Sequence, residues 1–566
     1  MSWIAALPLL SCQASPEGAL VEHCSDGADN DADGLYDCAE ELCANLPVCG
    51  PESSPQQPLG PLFVEVSDAA GLRPDGPQPQ DLGGGGAAVA DVNGDGWPDI
   101  YLCGRVGPQG ATPNRLFIND GKGSFADQLE LWGLPNGTDA STPDEAIPLA
   151  ATFADYDNDG DPDLFLANDG ANQLYQNQGE RFIEVTAEAG LGGHSLLSSG
   201  MALGDYDSDG LLDLLVIEHQ DLSLSPKASF QQRPADRLYR NLGDGSFTEV
   251  QQLLPEPNPR GAGFAAAWLD VDDDGDLDLY VANDYGALLQ SNQLYRNNGS
   301  AATHEQFTSI SSSCGCSLAA SSMGIASGDY NRDGKVDLYI TNLMLDGGEV
   351  LLQGQGDGSF VDATQGTGAI AGMDGIRESS WGSEFGDFDN DGWPDLAVAF
   401  GSWEEQLAPA ASVLMKNVGG RFEEAQDSGL EDSIRESEGL VRLDYDRDGC
   451  LDLLVANLDG PPDLWRNHCT TSHNWIGLDL LGQESNADGV GATVLLTAGS
   501  RTSRIDVGAG SSSVHSSSSK SVHFGLGSAD SAELIEVRWP SGRRTELQDM
   551  PGNQYHRVLE IDGLVP

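Results

Sequence analysis

Acidic side chains recur at alternate positions of one short pattern throughout this sequence. The nine-residue pattern Asp-x-Asp/Asn-x-Asp-Gly-x-x-Asp begins at Asp91, Asp155, Asp205, Asp270, Asp329, Asp387 and Asp444. Oxygen donors at alternate positions, a glycine for a sharp turn at position six and a backbone carbonyl at position seven suit the roughly six to eight oxygen ligands of Ca2+. The pattern therefore predicts seven calcium sites.

The predicted ligands occupy positions one, three, five, seven and nine of each loop. They are Asp91, Asn93, Asp95, Trp97 and Asp99; Asp155, Asp157, Asp159, Asp161 and Asp163; Asp205, Asp207, Asp209, Leu211 and Asp213; Asp270, Asp272, Asp274, Asp276 and Asp278; Asp329, Asn331, Asp333, Lys335 and Asp337; Asp387, Asp389, Asp391, Trp393 and Asp395; Asp444, Asp446, Asp448, Cys450 and Asp452. Carboxylates packed this closely repel each other by about 4 kcal/mol per close pair, so a cation is expected among them. One such loop alone would read as a solvated turn, but seven in register argue against that reading.

The segments around each loop predict the element that positions it. Apolar stretches precede and follow the loops, as 265–269 and 279–282 do around the fourth. A second hairpin follows, with a turn at 119–121 in the first repeat. The loops recur at intervals of 64, 50, 65, 59, 58 and 57 residues, which is typical of a repeat architecture. Four antiparallel strands per repeat predict a seven-bladed β-propeller.

The seventh repeat lacks its own fourth strand. No strand pattern follows 463–467, whereas 63–66 closely resembles the fourth strand of the second repeat, 182–185. We therefore expect the N-terminal strand to complete the seventh blade and close the ring, which would remove a free sheet edge.

The net charge of the chain argues against polyanionic partners. The chain has 566 residues, with 27 basic and 90 acidic side chains, and its net charge of -63 repels nucleic acid and anionic membranes. Short apolar runs among 71 glycines favour strands and tight turns over disorder.

The ten cysteines suit an oxidising compartment, and their spacing leaves the connectivity open. Pairs are conceivable within the cluster Cys24, Cys38, Cys43 and Cys49, between Cys314 and Cys316, and between Cys450 and Cys469. Cys12 and Cys103 are left over. The apolar segment before Cys12 resembles a bacterial lipobox, although it is short and lacks a preceding basic residue, so Cys12 is a candidate lipid anchor.

The N-terminal region predicts an eighth metal site. Asp29, Asp31, Asp33 and Asp37 surround Gly34 between two cysteines. The predicted organisation is a signal or lipobox segment at 1–12, a cysteine-rich metal-binding motif at 22–50, a proline-rich linker at 51–61, a propeller at 62–468 and a small β-domain at 469–566.

These repeats resemble the FG-GAP/VCBS family, whose best-known members are the integrin α-subunit propellers. From 475 onward, Ser485-Asn486, Gly489-Val490-Gly491-Ala492, His523-Phe524-Gly525-Leu526-Gly527 and Trp539-Pro540-Ser541-Gly542 resemble the ASPIC/UnbV module. Ala487 and the serine run 511–519 depart from that pattern. The combination resembles the cartilage acidic protein family, which implies calcium-loaded blades and a non-catalytic, extracellular setting.

No nucleophile elbow, Walker loop or two-histidine zinc signature occurs in the sequence, so we predict no enzyme activity. We expect an extracellular calcium-binding protein, at a bacterial outer surface if Cys12 is lipidated, that serves adhesion or recognition of a protein or polysaccharide. The alternatives are a carbohydrate-active enzyme or lectin-like polysaccharide binder and a purely structural envelope component. The ligand is expected on the face opposite the acidic loops, where the connections 104–113, 218–235 and 402–411 carry His219, Trp403, Glu404 and Glu405.

Overall fold

The computed structural model describes residues 62–73, 85–104, 106–107, 110–137, 146–192, 196–221, 223–255, 261–299, 306–343, 348–371, 379–401, 410–469, 472–499, 501–510, 515–561 and 563–564. The lipobox segment with Cys12, the cysteine-rich motif with its four aspartates, the linker, and Trp403, Glu404 and Glu405 lie outside the described residues.

The described chain is an all-β protein built mainly of four-stranded antiparallel sheets, as predicted. Its two short α-helices are α1 (Pro226–Gln231) and α2 (Thr364–Thr367). Short 3-10 helices lie at Gln251–Leu253 and Leu430–Asp432. Helix α1 begins where Ser225 caps the backbone N–H of Ala228 and Pro226 fixes the first turn.

Each predicted repeat forms one sheet, and β1 (Phe63–Glu65) belongs to the last of them. The first sheet contains β2 (Ala87–Ala90), β3 (Asp99–Leu102), β6 (Arg115–Asn119) and β7 (Phe125–Asp127), with the small hairpin β4 (Val106–Gly107) and β5 (Gly110–Ala111) between β3 and β6. The second contains β8 (Ile147–Ala154), β9 (Asp163–Gly170), β10 (Gln173–Asn177) and β11 (Phe182–Glu184), and the third β12 (Leu196–Gly204), β13 (Asp213–Gln220), β14 (Arg237–Asn241) and β15 (Phe247–Glu249). These two sheets are continuous with each other, because the start of β12 also pairs with the end of β9.

The remaining sheets repeat this order. The fourth contains β16 (Ala262–Leu269), β17 (Asp278–Asp284), β18 (Gln293–Asn297) and β19 (Phe307–Ser309). The fifth contains β20 (Ser322–Gly328), β21 (Asp337–Asn342), β22 (Val350–Gly354) and β23 (Phe360–Asp362). The sixth contains β24 (Ser380–Gly386), β25 (Asp395–Phe400), β27 (Val413–Asn417) and β28 (Phe422–Glu424), and the seventh β30 (Ser437–Leu443), β31 (Asp452–Asn457) and β32 (Asp463–Asn467), while β26 (Ala410–Ala411) pairs with β29 (Ile434–Arg435).

The N-terminal strand completes the seventh sheet, as the sequence predicted. Strand β1 pairs antiparallel with β32 in the register Phe63 to Asn467 and Glu65 to Trp465. Phe63 is buried, with its ring centroid 5.7 Å from that of Phe388 in the sixth sheet. Residues near the chain start therefore belong to the same core as residues near position 465.

The hydrophobic core lies between neighbouring sheets. Alternating strand residues give each sheet two apolar faces, and seven clusters of buried side chains each combine residues of two sheets. One of them joins Val89 and Ile100 of the first sheet to Val441 and Leu454 of the seventh. The first strands of successive sheets also contact each other, and β30 contacts β2.

The C-terminal residues form two further sheets. One contains β33 (Asn474–Leu481), β37 (Val522–Gly527), β40 (Tyr555–Leu559) and β41 (Gly563–Leu564), and the other β34 (Thr493–Ala498), β35 (Arg501–Asp506), β38 (Ser531–Arg538) and β39 (Arg544–Pro551). Ile476, Val494 and Val537 are among the side chains of their shared core. Strand β36 (Ala509–Gly510) leaves this domain and pairs with β12.

Two of the conceivable disulfides are present, Cys314–Cys316 and Cys450–Cys469, and Cys103 is a buried free thiol. Among the described residues, no helix has the length and apolar character needed to cross a membrane.

Candidate metal centres

The first carboxylate of each acidic loop organises the turn. In the first loop, Asp91 accepts backbone N–H groups from Asp95 at 3.0 Å and from Gly96 at 2.7 Å. The sixth-position glycine has φ of +89° there, a left-handed conformation that favours glycine. The fourth position is also left-handed in every loop, from Gly94 to Arg447, a requirement that the sequence reading had not identified.

The ninth-position aspartate ties the loop to the next hairpin. In the second loop, one oxygen of Asp163 accepts the N–H of Tyr156 at 3.2 Å, and the other accepts the N–H of Asn177 at 2.8 Å. The same pair of contacts recurs at Asp99, Asp213, Asp278, Asp337, Asp395 and Asp452. The ninth residue therefore links the first two strands of a sheet to the third.

Positions one, three and nine converge in five loops. In each, three carboxylate oxygens lie within 4.8 Å of one another, at Asp155, Asp157 and Asp163; Asp205, Asp207 and Asp213; Asp270, Asp272 and Asp278; Asp387, Asp389 and Asp395; and Asp444, Asp446 and Asp452. The first and fifth loops carry Asn93 and Asn331 at position three. Within the described residues, the fifth-position aspartates do not join these sets. The sets could hold a metal ion.

Buried carboxylate oxygens without a hydrogen-bond partner support that fit. In four loops, one carboxylate oxygen of the third-position residue has no hydrogen-bond partner. In the sixth loop, the oxygen without a partner belongs to the first-position residue. These residues are Asp157, Asp207, Asp272, Asp446 and Asp387. A buried anionic oxygen left unpaired is costly, and cation coordination would remove that cost.

Several carboxyl groups of these loops also have raised pKa values. Burial, reinforced by neighbouring carboxylates, raises the pKa of Asp163 to about 9 and those of Asp99 and Asp278 to about 8, despite backbone N–H groups that act in the opposite direction. A divalent cation reverses this effect because it stabilises the ionised form.

Basic side chains of the third strand reach the outer carboxylates of some loops. Arg240 lies 2.8 Å from Asp207 and 3.0 Å from Asp209, and Arg466 makes equivalent contacts to Asp446 and Asp448. These partly exposed pairs leave one oxygen of Asp207 and of Asp446 unpartnered. They reduce the loop charge without filling the centre.

In six of the seven sheets, an asparagine side chain forms a hydrogen bond to the acidic loop of the preceding sheet; this series of contacts is here called the asparagine ladder. The side-chain amide at the end of the third strand donates to the second-position carbonyl of that neighbouring loop at 2.7 to 2.9 Å; the residues are Asn119, Asn177, Asn241, Asn297, Asn417 and Asn467. Asn119 donates to Tyr445, and so connects the first sheet to the seventh. An asparagine ends the third strand in six repeats, but this sequence pattern was not recognised as a prediction of contacts between neighbouring sheets.

The fifth sheet lacks the asparagine of the ladder. Gly354 replaces the asparagine, and a Cβ there would lie 2.1 Å from the carbonyl oxygen of Val336. The carbonyl of Val271 accepts the backbone N–H of Gly358 at 3.3 Å instead.

Substitution of Asn119 or Asn177 by alanine tests the ladder. Each amide donates to one buried and one partly buried carbonyl, so each variant is expected to lose about 2–3 kcal/mol of unfolding free energy, measured by urea denaturation in calcium. The two losses should agree within about 0.5 kcal/mol. A much smaller loss for Asn119 would contradict the contact between the first and seventh sheets.

The C-terminal domain packs over the acidic loops. Asp488 accepts the N–H of Asp155 at 2.8 Å, the hydroxyl of Tyr555 donates to Asp444 at 2.7 Å, and buried Arg504 donates to Asp273 at 2.6 Å and to the carbonyl of Gly334 at 3.0 Å. Described hydrogen bonds from this domain reach five of the loops, and the carbonyl oxygen of Glu484 lies close to Gly210 of the third loop; none of these contacts reaches the first loop. The acidic face is therefore also an interdomain interface.

Two motifs of the C-terminal domain, those with Ser485 and Ser541, converge on Glu560, which the sequence analysis did not identify. Its carboxylate accepts the N–H groups of 483–485 at 2.7 to 2.9 Å and the hydroxyls of Ser485 and Ser541. These hydrogen bonds hold the pKa of Glu560 down to about 2, although burial opposes them. Ser485 and Ser541 therefore have a structural role inside the domain. His523 is buried and stacks on Trp475.

Two families match the chain. The FG-GAP-like repeat matches residues 91–164, 155–216, 227–281 and 270–340, and the ASPIC and UnbV family matches residues 482–564. The sequence resemblance to these two families is thereby confirmed.

The chain is also similar to curated proteins and to a solved structure. Cartilage acidic protein 1 of Mus musculus is 23% identical over 553 residues, which cover 90% of this chain and 78% of that protein. The Homo sapiens protein of the same name is 22% identical over 492 residues, covering 73% and 72%. A structure of an Agrocybe aegerita lectin, described as recognising non-reducing terminal N-acetylglucosamine, aligns with a TM-score of 0.37 and 17% identity over 66% of this chain and 85% of that one.

The two families lie in the same order as the structural parts, with repeats in the acidic-loop sheets and the second family in the C-terminal sheets. The chain thus contains FG-GAP-like repeats followed by an ASPIC and UnbV domain, and cartilage acidic protein 1 is among its distant relatives.

Proposed function

We propose that the seven sheets form a closed seven-bladed propeller spanning 62–468, followed by a domain at 469–566. The cluster that packs the seventh sheet on the first, the contact of β30 with β2 and the hydrogen bond from Asn119 to Tyr445 support closure. Strand β1 supplies the outer edge of the last blade.

We propose that the seven loops bind calcium through the predicted residues at positions one, three, five and nine and through the seventh-position carbonyl. The convergent carboxylates with buried, unpartnered oxygens support this assignment most directly. Calcium suits many oxygen ligands in a flexible loop, whereas magnesium retains more water. Bound calcium would neutralise the loops and stiffen the hairpins.

We propose that the chain is an extracellular, calcium-stiffened protein for adhesion or recognition, with no catalytic role. The two disulfides of the described residues suit an oxidising compartment, and the name of the curated relatives refers to cartilage. The observation that carries the recognition role is the placement of the C-terminal domain over the acidic loops. That placement leaves the opposite ends of the sheets for a partner.

Binding and turnover can be measured together. The purified full chain is passed over immobilised polysaccharides and extracellular surface proteins, first in calcium and then in chelator, while soluble products are assayed. We expect saturable binding to one class of ligand, reversed by chelator and restored by added calcium, without product release. Released oligosaccharide would instead indicate a carbohydrate-active enzyme, and the absence of any binding would indicate a structural component.

A further inference from the structure

A segment of the C-terminal domain, residues 515–519, enters among the first strands of the sheets. Its backbone hydrogen bonds reach three of them: Ser517 donates to Ala87 at 2.9 Å, Ala151 donates to His515 at 3.4 Å, and Ser519 donates to Arg442 at 3.3 Å. The hydroxyl of Ser518 donates to Glu384 of a fourth first strand at 2.7 Å. The segment is therefore held on several sides at once.

His515 at the start of this segment lines a cavity of about 450 Å3, here called the axial pocket. The pocket lies at the ends of the sheets opposite the acidic loops, and all seven sheets contribute residues from the start of their first strand or just before it. Phe264, Trp381, Tyr285, His219 and Glu438 line it together with His515. Gly104, His219 and Gln220 of the connections expected on the recognition face line the pocket.

Aromatic faces form much of the wall. The ring centroid of Phe264 lies 5.9 Å from Trp381, 5.4 Å from His219 and 5.3 Å from His515. The indole N–H of Trp381 donates to the carbonyl of Gly401 at 3.2 Å, so its polar edge is already satisfied. The rings can therefore offer their negative π faces to a ligand.

The charge of the lining is negative. Asp284, Glu436 and Glu438 line the pocket, and no lysine or arginine belongs to its described lining. The side chain of Glu438 is about 10% exposed, and one of its oxygens lies 3.7 Å from Nδ1 of His515. Arg233 packs behind the wall, over Tyr285, and donates to the carbonyl of His219 at 2.6 Å.

His219 adds no positive charge to this lining. Burial, together with nearby Arg233, lowers its pKa to about 3 and keeps the imidazole neutral. Its Nδ1 is buried and has no hydrogen-bond partner. The pocket therefore combines aromatic faces, carboxylates and the Nδ1 atom of His219, which can still accept or donate a hydrogen bond. The net charge of the whole chain, -63, also attracts cations.

We propose that the axial pocket binds an ammonium group carried on an apolar body, with Phe264 and Trp381 contacting the cation and Glu438 balancing its charge. This inference rests on the proposed recognition function and names its ligand chemistry. A free organic ammonium ion and a lysine side chain of a partner share that chemistry. The C-terminal domain contributes a wall of the site through His515.

Calorimetry on the calcium-loaded full chain tests the proposal with a matched pair of probes, choline and its neutral isostere 3,3-dimethylbutanol. We expect choline to bind about tenfold or more tightly than the isostere, because cation–π contacts and a carboxylate favour only the charged probe. Nα-acetyl-lysine methylamide is the third probe, and its affinity relative to choline distinguishes a partner side chain from a free ligand.

Two variants and a control separate the contributions. Glu438→Gln should weaken choline about tenfold and leave the isostere unchanged. Trp381→Leu should weaken choline about two- to thirtyfold while keeping apolar volume. Glu249→Gln, an exposed change on a distant strand, should alter neither, and all variants should keep the calcium-dependent melting temperature.

Several results would overturn the proposal. Equal affinity for choline and its isostere, no binding of either ammonium probe up to about 10 mM, or a choline affinity insensitive to Glu438→Gln would each do so. Tighter binding of glucose or N-acetylglucosamine would assign the pocket to sugars. Calcium-dependent binding of a surface ligand alongside any of these results would leave the proposed function standing.

Discussion

Removal of calcium is expected to lower the melting temperature of this protein by about 10 °C or more. A site filled at 100 times its dissociation constant stabilises the fold by about 2.7 kcal/mol, and seven loops are proposed to bind. Even two such sites would add about 5 kcal/mol, and each kcal/mol moves the midpoint by about 2 °C in a large domain. Calorimetric scans in calcium, magnesium and chelator measure the effect.

A single-loop variant makes the calcium prediction specific. Asp163→Asn removes one charge from a convergent set and should lower the number of calcium ions bound, measured by equilibrium dialysis, by one. Asp432→Asn, an exposed change outside the loops, should leave the number unchanged. A melting temperature that does not respond to chelator would refute calcium binding at these loops. Equal stabilisation by magnesium would refute the choice of metal.

The second large effect concerns the N-terminal strand. A chain that begins at Asp68 loses β1, the buried ring of Phe63 and the hydrogen bond from the backbone of Leu464 to Ser67 at 2.7 Å. We expect it to lose more than about 4 kcal/mol of unfolding free energy, since burial of the phenylalanine ring alone is worth about 3–5 kcal/mol. The freed edge of β32 should also promote aggregation.

A chain that begins at Leu62 is the matched control, and it should retain full stability. If the shorter chain does not fold, Phe63→Ala in the full-length chain should still lose about 3–5 kcal/mol in urea denaturation. Equal stability of the two shortened chains would show that β1 does not complete the seventh sheet in solution.

The acidic loops link both effects to the C-terminal domain. Because Tyr555 donates to Asp444, and Asp488 accepts from the backbone of Asp155, a change in loop geometry reaches that domain directly. We therefore expect both parts of the chain to melt together in calcium.

The sequence by itself determined the local architecture. A nine-residue loop such as Asp91 to Asp99 closes through hydrogen bonds between its own residues, and Gly96 supplies the left-handed turn, so type and spacing suffice to identify it. Strand pairing followed from alternation and from the likeness of 63–66 to 182–185, because a repeated unit reveals its missing part.

The tertiary structure alone decided how distant parts meet. The link from Asn119 to Tyr445, the docking of Tyr555 on Asp444 and the entry of 515–519 among the first strands of the sheets join residues that no local pattern relates. A serine run carries no periodicity, and its backbone hydrogen bonds go to Ala87 of the first sheet and Arg442 of the seventh. Such contacts depend on the packed positions of whole sheets, which local propensity does not encode.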